Sequence, residues 1–319
     1  MNQLPEFPER DLPPGRHRLL KEHLMTEIRQ QEGQKEREQE GQQRAGGTPV
    51  RTRATWLRPA IAAAAVAAVA ATVVVALPSS GGRSGSASQE AVALLGDIAL
   101  AAEHQKVPDT IRDDQFVYIE SKVGYTTQEE GKPARLDPVH QREIWLSVDG
   151  TRWGLLEEGR DGLGHVKLEP NTPGIPSNTD YRNLQTLPTD PDKMLEWLHK
   201  NSDGGKSEDQ NTFVLVGDLV GESLLPPDVA AALFRAAAKI PGVVVVPDSV
   251  DAAGRHGVAV ARVDDGEREE LIFDKKTKEY LGERDVAVED QPSGFKKGQT
   301  TGSSAVLKRE IVDKAGQRP

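Results

Sequence analysis

The sequence predicts an α+β protein in which a single transmembrane helix precedes a domain with a curved, half-barrel-like antiparallel sheet packed by helices. Three observations predict it. Residues 59–77 carry no charged side chain. Helical and strand patterns then follow in separate blocks rather than in alternation. From residue 243 onward, short β-branched segments succeed one another across short turns, which is typical of an antiparallel meander.

Residues 1–58 precede the uncharged run, and we expect them to form a largely disordered cytoplasmic tail. A short helix is predicted near residues 19–30, because Leu20, Leu24 and Ile28 recur at i, i+4 and i+8. Two interpretations stay open. The tail is solvated and does nothing specific, or these three side chains bind a cytosolic partner.

The run 59–77 consists mainly of ten Ala and five Val, and its 19 residues match the roughly 20 that cross a bilayer as a helix. Several arginines precede it, and no acidic residue lies between Gly41 and Arg58. The positive-inside rule therefore predicts a cytoplasmic N-terminus, an extracytoplasmic C-terminal domain and the lipid bilayer as a partner. A cleaved leader and a buried soluble helix are the alternatives.

Residues 78–88 are rich in Gly and Ser and predict a flexible linker. The extracytoplasmic domain then spans residues 89–319. Its first element is an amphipathic helix at 90–104, with Val92, Leu95, Ile98 and Ala99 expected on the buried side.

The next segments have the β-branched and aromatic content of strands. They lie at residues 115–123, 142–148 and 151–158, and Asp149-Gly150 predicts a hairpin turn between the last two. Residues 159–187, with many Gly, Pro and Asn, predict a long loop.

Three helices are predicted next. The first starts near Pro191, capped by Thr189 or Asp190. The second covers the apolar residues 212–225, where a strand is the alternative. The third runs between Pro226-Pro227 and Pro241-Gly242. Five strands follow, at residues 243–248, 257–264, 268–274, 278–286 and 305–313.

Composition excludes several classes of function. The chain has no cysteine, so disulfides, thiolate zinc sites, cysteine nucleophiles and lipid attachment at cysteine are absent. Residues 83–319 hold 29 basic and 41 acidic side chains, which argues against nucleic-acid binding by the large domain.

No motif predicts a catalytic, cofactor or metal site. Residues 201–212 have calcium-loop spacing, but Lys206 and Thr212 stand where Gly and Glu are needed, so a disordered loop is predicted. The seven histidines lack zinc-protease spacing. The pairs Asp264-Asp265 and Glu269-Glu270 are expected in or beside turns and solvated, and no cofactor is predicted.

Several phrases resemble an uncharacterised actinobacterial family of single-pass envelope proteins, namely "LPTDPDKMLEWL", "PPDVAAALFRAAAKIPGVVVV", "DAAGRHGVAVAR", "ELIFDKKTKEYLGER" and the final "AVLKREIVDKAGQRP". Genes of such proteins often lie beside extracytoplasmic-function sigma factors, so the resemblance implies regulation of envelope stress. The tail departs from zinc-type anti-sigma factors, because it has no cysteine.

The sequence therefore predicts a membrane-anchored envelope protein whose ectodomain is a non-enzymatic sensory or ligand-binding module. Its ligand is expected to be apolar or a peptide, bound between sheet and helices, and its tail to regulate a sigma factor or another cytosolic regulator. The alternatives are a structural or carrier envelope protein with no signalling role and, as a third class, an envelope hydrolase.

Overall fold

The structure, a computed structural model, describes residues 85–108, 110–128, 132–159, 164–175, 178–202 and 204–319. The predicted tail 1–58, the predicted span 59–77 and linker residues 78–84 lie outside the described residues. Among those that are described, no helix combines the length and apolar character needed to cross a membrane.

Five helices and eleven strands form within the described part of the chain. The helices are α1 (Gln89–Glu103), α2 (Tyr181–Leu184), α3 (Pro191–Asn201), α4 (Glu208–Gly221) and α5 (Pro227–Ala237). The strands are β1 (Phe116–Gly124), β2 (Thr126–Thr127), β3 (Arg135–Leu136), β4 (His140–Ser147), β5 (Gly154–Glu158), β6 (His165–Leu168), β7 (Val244–Val250), β8 (His256–Asp264), β9 (Glu267–Phe273), β10 (Tyr280–Ala287) and β11 (Thr300–Val312).

Nine strands form one antiparallel sheet in the order β6-β5-β4-β1-β11-β10-β9-β8-β7, and β2 pairs with β3 separately. The predicted α+β class and the meander from β7 to β11 are confirmed. The sheet is open, with β6 and β7 at its edges. The pairing of β11 with β1, which sets Val117 opposite Ile311, joins the early strands to the late ones.

Helix α1 begins as predicted, with the Ser88 hydroxyl accepting a backbone N–H of the first turn. Leu95 and Ile98 are buried, as expected, whereas Val92 is 47% exposed, so its predicted place on the buried side is wrong. The last linker residues are tied to the domain, because the Ser88 N–H donates to the carbonyl of Val243.

The next helices also follow their sequence signals. Asp190 caps α3, its carboxylate accepting two backbone N–H groups, and Pro191 occupies the first turn. The ambiguous apolar segment is helix α4, as favoured, but the helix starts earlier, at Glu208. The prediction of a disordered loop over residues 201–212 is therefore wrong for residues 208–212.

The predicted long loop 159–187 is also partly wrong, since it contains strand β6 and helix α2. Both are short elements fixed by their surroundings. Strand β6 pairs along β5, with Val166 opposite Leu156, and Asp180 caps α2, its carboxylate accepting a hydrogen bond from the N–H of Asn183.

Helices α1, α4 and α5 pack against strands β7 to β10 on one side of the sheet, which we call the helix face, and α3 packs against α4 and α5. The main core lies between them. Its large buried side chains include Phe213, Leu219, Leu271 and Phe273. The space where a ligand was predicted, between sheet and helices, is thus filled here by packed aliphatic and aromatic groups.

The β7–β8 loop bends across β9 and β10 to reach β11. The Ala252 N–H donates to the carbonyl of Ser304, and the Arg255 guanidinium donates to the carbonyls of Leu281 and Val306. The sheet must therefore be curved between β8 and β11. Beneath the loop lies a second apolar cluster, formed by Val246, Ala259, Ala261, Ile272 and Leu281.

The other side of the sheet, the back face, is covered differently over β1, β4 and β5. Residues 313–319, which we call the C-terminal strap, leave β11 and fold back over an aromatic cluster. The cluster is formed by Phe116, Tyr118, Trp145 and Val312. All seven strap residues are exposed, whereas Trp145 is fully buried.

Candidate functional site

A cavity of about 40 Å³ lies on the helix face between the β4–β5 hairpin and the segment that links β6 to α2. Its volume suits one or two water molecules or the end of a small side chain. Its wall is formed by Leu146, Ser147, Gly150, Arg152, Gly154, Leu168, Glu169, Asn171, Thr179 and Asp180. The cavity is therefore apolar at the sheet and polar at the rim.

The rim is fixed by the hairpin turn that the sequence predicted at Asp149-Gly150. Gly150 has a φ of +71°, and a Cβ there would lie 3.0 Å from an Asp180 carboxylate oxygen. The Gly150 carbonyl accepts the N–H of Asn171, whose side-chain amide donates to Asp180. These bonds hold the loop against the hairpin.

Asp149 anchors the same turn. Burial disfavours its charge, but bonds from the hydroxyls of Ser147 and Thr151 and from the Thr151 N–H hold the pKa of the Asp149 carboxyl below its usual value. Asp149 is thus an ionised turn residue rather than a proton donor.

Helices α1, α3, α4 and α5 do not extend over β4, β5 and β6. On the helix side of these strands Ile144 and Leu156 are buried in a cluster that includes Tyr181 of α2. The side chains of Leu146, Val166 and Leu168, in contrast, are only partly buried. They lie beside the cavity, and β6 is an edge strand whose outer backbone groups have no neighbouring strand in the described sheet. We call this surface of β4, β5 and β6 with the cavity the open surface.

An ion cluster borders the open surface where the helix layer ends. The Arg142 guanidinium donates to Glu222 at 2.6 Å and lies 3.7 Å from Glu158, which also contacts His140 at 2.6 Å. Burial opposes the charge of Arg142, but Glu222 and Glu158 outweigh that effect and raise its pKa. The cluster ties β4 and β5 to the segment after α4.

Arg309 in β11 contacts the C-terminal end of α4. Its guanidinium donates to the Val220 and Gly221 carbonyls at the end of α4 and lies 5.7 Å from the Tyr280 ring. Burial lowers the pKa of Arg309 to about 10. The carbonyl ends of the helix and the aromatic face supply the negative potential that retains its charge.

The expectation that Glu269 and Glu270 are solvated is wrong. They lie in the middle of β9 and are 6% and 0% exposed. As adjacent strand residues they face opposite sides, as expected. The Glu269 carboxylate accepts a hydrogen bond from the Gln210 amide on the helix face. The Glu270 carboxylate accepts one from the Ser249 hydroxyl on the opposite side of the sheet.

Within residues 201–212, the two side chains that depart from a calcium loop make other contacts. Lys206 lies 2.8 Å from Glu267, and the Thr212 hydroxyl donates to a backbone carbonyl within α4. Over the part of the chain that the structure describes, no group of three or more His, Asp or Glu side chains is arranged to hold a metal ion. The predicted partner-binding residues Leu20, Leu24 and Ile28 lie outside the described residues.

The described domain is thus an open antiparallel α+β sheet with helices over one half and a partly apolar open surface on the other. No family model matches the chain, and no curated protein matches it. Among solved structures, the crystal structure of MucB is similar at 15% sequence identity with a TM-score of 0.28. The match covers 73% of this chain and 61% of that chain, and a TM-score this low does not by itself indicate a shared fold.

Sequence reasoning missed the open surface because β6 and part of the cavity wall come from residues 159–187, which were predicted to form a loop. Asn171 and Asp180 lie in what looked like a structureless loop. One signal was present, however: Arg142 and Glu143 open the predicted strand 142–148 just before an apolar run, and charged residues in such a place need partners.

Proposed function

We propose that the described domain is a non-enzymatic binding module that takes a peptide with an apolar side chain at the open surface. The observation that carries the proposal is the end of the helix layer at α4, which leaves Leu146, Val166 and Leu168 partly exposed beside a cavity. An apolar wall with a few polar rim groups is the usual character of a binding site.

An extended peptide fits this surface better than a compact ligand. Strand β6 is at the edge of the sheet, so a peptide can add to it through backbone hydrogen bonds. Alternate peptide side chains would then face Val166 and Leu168, and one would enter the cavity. Exposed and half-buried side chains alternate along β6, which matches this geometry.

The test uses the full chain in detergent micelles and a fluorescein-labelled decapeptide of alternating Leu and Thr, with binding read by anisotropy. Leu168→Asp should weaken binding at least about tenfold, because a carboxylate replaces apolar contact worth more than 1.4 kcal/mol. Leu307→Asp is the matched control, since Leu307 is 38% exposed on β11. Equal affinity in both variants, or an equally tight all-Thr peptide, would refute the proposal.

The placement of this module in the cell envelope is a further part of the proposal. It rests on the uncharged run 59–77 and on the arginines before it. Cell fractionation with an epitope at each end of the chain tests it. Both epitopes should stay in the membrane fraction on one polypeptide, with only the C-terminal one accessible to protease from outside. Two separate soluble fragments would contradict the anchor.

We also propose that residues 1–58 bind a cytosolic regulator such as a sigma factor through Leu20, Leu24 and Ile28. Support comes from the spacing of these residues and from the resemblance described above. A pull-down with residues 1–58 should recover the partner, and the triple alanine variant should not. Recovery of nothing beyond a scrambled tail would favour a structural or carrier protein instead.

A further inference from the structure

The C-terminal strap covers a surface that ordinary sheet packing would leave open. Trp145 and Tyr118 lie opposite each other on β4 and β1, with ring centroids 5.1 Å apart. They are 0% and 2% exposed. The helices pack on the other side of the sheet. The strap therefore closes this aromatic cluster.

The strap holds its place mainly through polar contacts. The Trp145 indole N–H donates to the carbonyl of Gln317 at 2.6 Å, and the Arg318 guanidinium lies 5.6 Å from the Trp145 ring centroid. Ala315 is the only aliphatic side chain among the strap residues apart from Pro319. The strap thus contributes little apolar surface of its own and relies on Arg318.

The sheet presents a row of glutamates to this guanidinium. Glu143 of β4 is paired with Glu120 of β1 on one side and with Glu157 of β5 on the other. Like charges directly opposite one another destabilise a sheet. Arg318 lies between two of them, with bonds of 2.7 and 2.6 Å to Glu143 and 2.5 Å to Glu157.

Nearby groups complete this environment. The Tyr118 hydroxyl donates to Glu143 at 2.6 Å, and Glu157 also faces His165 at 2.9 Å. The floor of the surface is regular sheet, so its aromatic rings and carboxylates are placed by strand pairing rather than by the strap. The arrangement has the features of a preformed binding site for an arginine side chain, with carboxylates to accept its hydrogen bonds and an aromatic wall.

We propose that this back-face surface is a recognition site for an extended peptide that carries an arginine, and that the C-terminal strap occupies it in cis. The occupant seated in the structure defines the chemistry. A guanidinium enters between Glu143 and Glu157, and the preceding backbone carbonyl accepts the Trp145 indole N–H. An arginine-bearing partner displaces the strap by making the same contacts.

This site is separate from the open surface, since Glu143, Trp145 and Tyr118 face the back of the sheet whereas Leu146 and Leu168 face the helix side. The proposal therefore does not depend on the proposed function. The two surfaces share strands β4 and β5. An arginine-bearing partner on the back face and a ligand at the open surface would therefore contact opposite sides of the same two strands.

The test titrates the full chain in detergent micelles with a fluorescein-labelled peptide of sequence DKAGQRP, followed by anisotropy. The Arg318→Ala chain should bind this peptide at least about tenfold more tightly than the wild-type chain, because its own strap competes less well. A peptide with alanine in place of arginine should bind the Arg318→Ala chain at least about tenfold more weakly.

Two variants control the experiment. Arg135→Ala removes an arginine that is 61% exposed away from the strap, and this chain should bind like the wild type. The triple variant Arg318→Ala/Glu143→Gln/Glu157→Gln lacks both carboxylates and should lose the preference for the arginine peptide. Far-UV circular dichroism checks that each chain is folded.

If Arg318→Ala does not fold, the wild-type titration decides, since the arginine peptide should still displace the strap at higher concentration and the alanine peptide should not. Equal binding of the two peptides would overturn the proposal. Concentration-dependent dimerisation without peptide binding would also overturn it, because the site would then exchange straps only between copies of this chain.

Discussion

Arg142 shows how one residue joins parts of the domain that are far apart in sequence. It is 4% exposed, and its guanidinium connects β4 to Glu158 on β5 and to Glu222 after α4. A buried cation in this position is stable only with its partners, and each partner carboxylate in turn depends on the cation.

We expect Arg142→Met to lower the free energy of unfolding by about 3 kcal/mol, because it leaves Glu158 and Glu222 without their guanidinium. Urea denaturation followed by circular dichroism measures it. Arg135→Ala removes a guanidinium that is 61% exposed and pairs with Asp137, and it should change the value by less than about 1 kcal/mol. A similar loss in both variants would mean that the buried cluster adds no special stability.

Glu143 makes the folded state sensitive to acid. The Arg318 guanidinium, against the opposing effect of burial and with help from the Tyr118 hydroxyl, holds the pKa of the Glu143 carboxyl below its ordinary value of 4.5. A carboxyl with a lowered pKa contributes stability above its unfolded value. That contribution disappears as the pH falls through the folded value.

The wild-type free energy of unfolding should therefore fall as the pH drops below 4.5, and Glu143→Gln should make that fall shallower. Urea titrations between roughly pH 2 and pH 6 compare the two slopes. Glu196→Gln, at an exposed position on α3, serves as the control and should keep the wild-type slope. An unchanged slope in Glu143→Gln would show that this carboxyl does not titrate differently on folding.

Among the elements, the helices and the late strands could be predicted because their signals are local. Asp190-Pro191 starts α3, and alternation marks the strands after residue 243. Strand β6 and helix α2 were missed because each is four residues long and depends on tertiary neighbours. Glu269 and Glu270 were misjudged because their burial depends on α4 and on β7, which no local pattern reports.

Two glycines in helices give a sharp test of helix packing. A Cβ at Gly96 in α1 would meet no atom within 4 Å, whereas a Cβ at Gly217 in α4 would lie 2.9 Å from Glu283 and 3.0 Å from Leu271. Gly96→Ala should raise the free energy of unfolding by about 0.5–1 kcal/mol through helix propensity.

Gly217→Ala gains the same propensity, but its Cβ displaces the Glu283 carboxylate and the buried Leu271 methyl group, and we expect a net loss of about 1–3 kcal/mol. Thermal and urea unfolding of the two variants measure the difference. Stabilisation by both substitutions would indicate that α4 adjusts freely on the sheet, which would contradict the close packing described here.

At the scale of the whole molecule, β11 decides whether the domain unfolds as one unit. It pairs with β1 on one side and with β10 on the other, so it connects the strap-covered half to the helix-covered half. Trp145 reports on the first half, and Trp197 in α3 reports on the second. This connection was not predictable from sequence, because the paired strands are far apart in the chain.

Two full-length variants, each retaining only Trp145 or only Trp197 with the other tryptophans changed to Phe, should show the same urea midpoint by fluorescence. Far-UV circular dichroism should follow the same curve. Midpoints that differ clearly between the two probes would show that the halves unfold separately and that the β1–β11 pairing contributes little cooperativity.

The position of β11 also has a consequence for synthesis. Its register sets Phe116 opposite Val312, so the strand that completes the centre of the sheet is synthesised after all the other strands of that sheet. Until then β1 presents an unpaired edge beside a set of finished hairpins, and such edges recruit other chains. We therefore expect a nascent or prematurely terminated polypeptide to need chaperones until β11 has been made, and we expect this long-range pairing to slow folding.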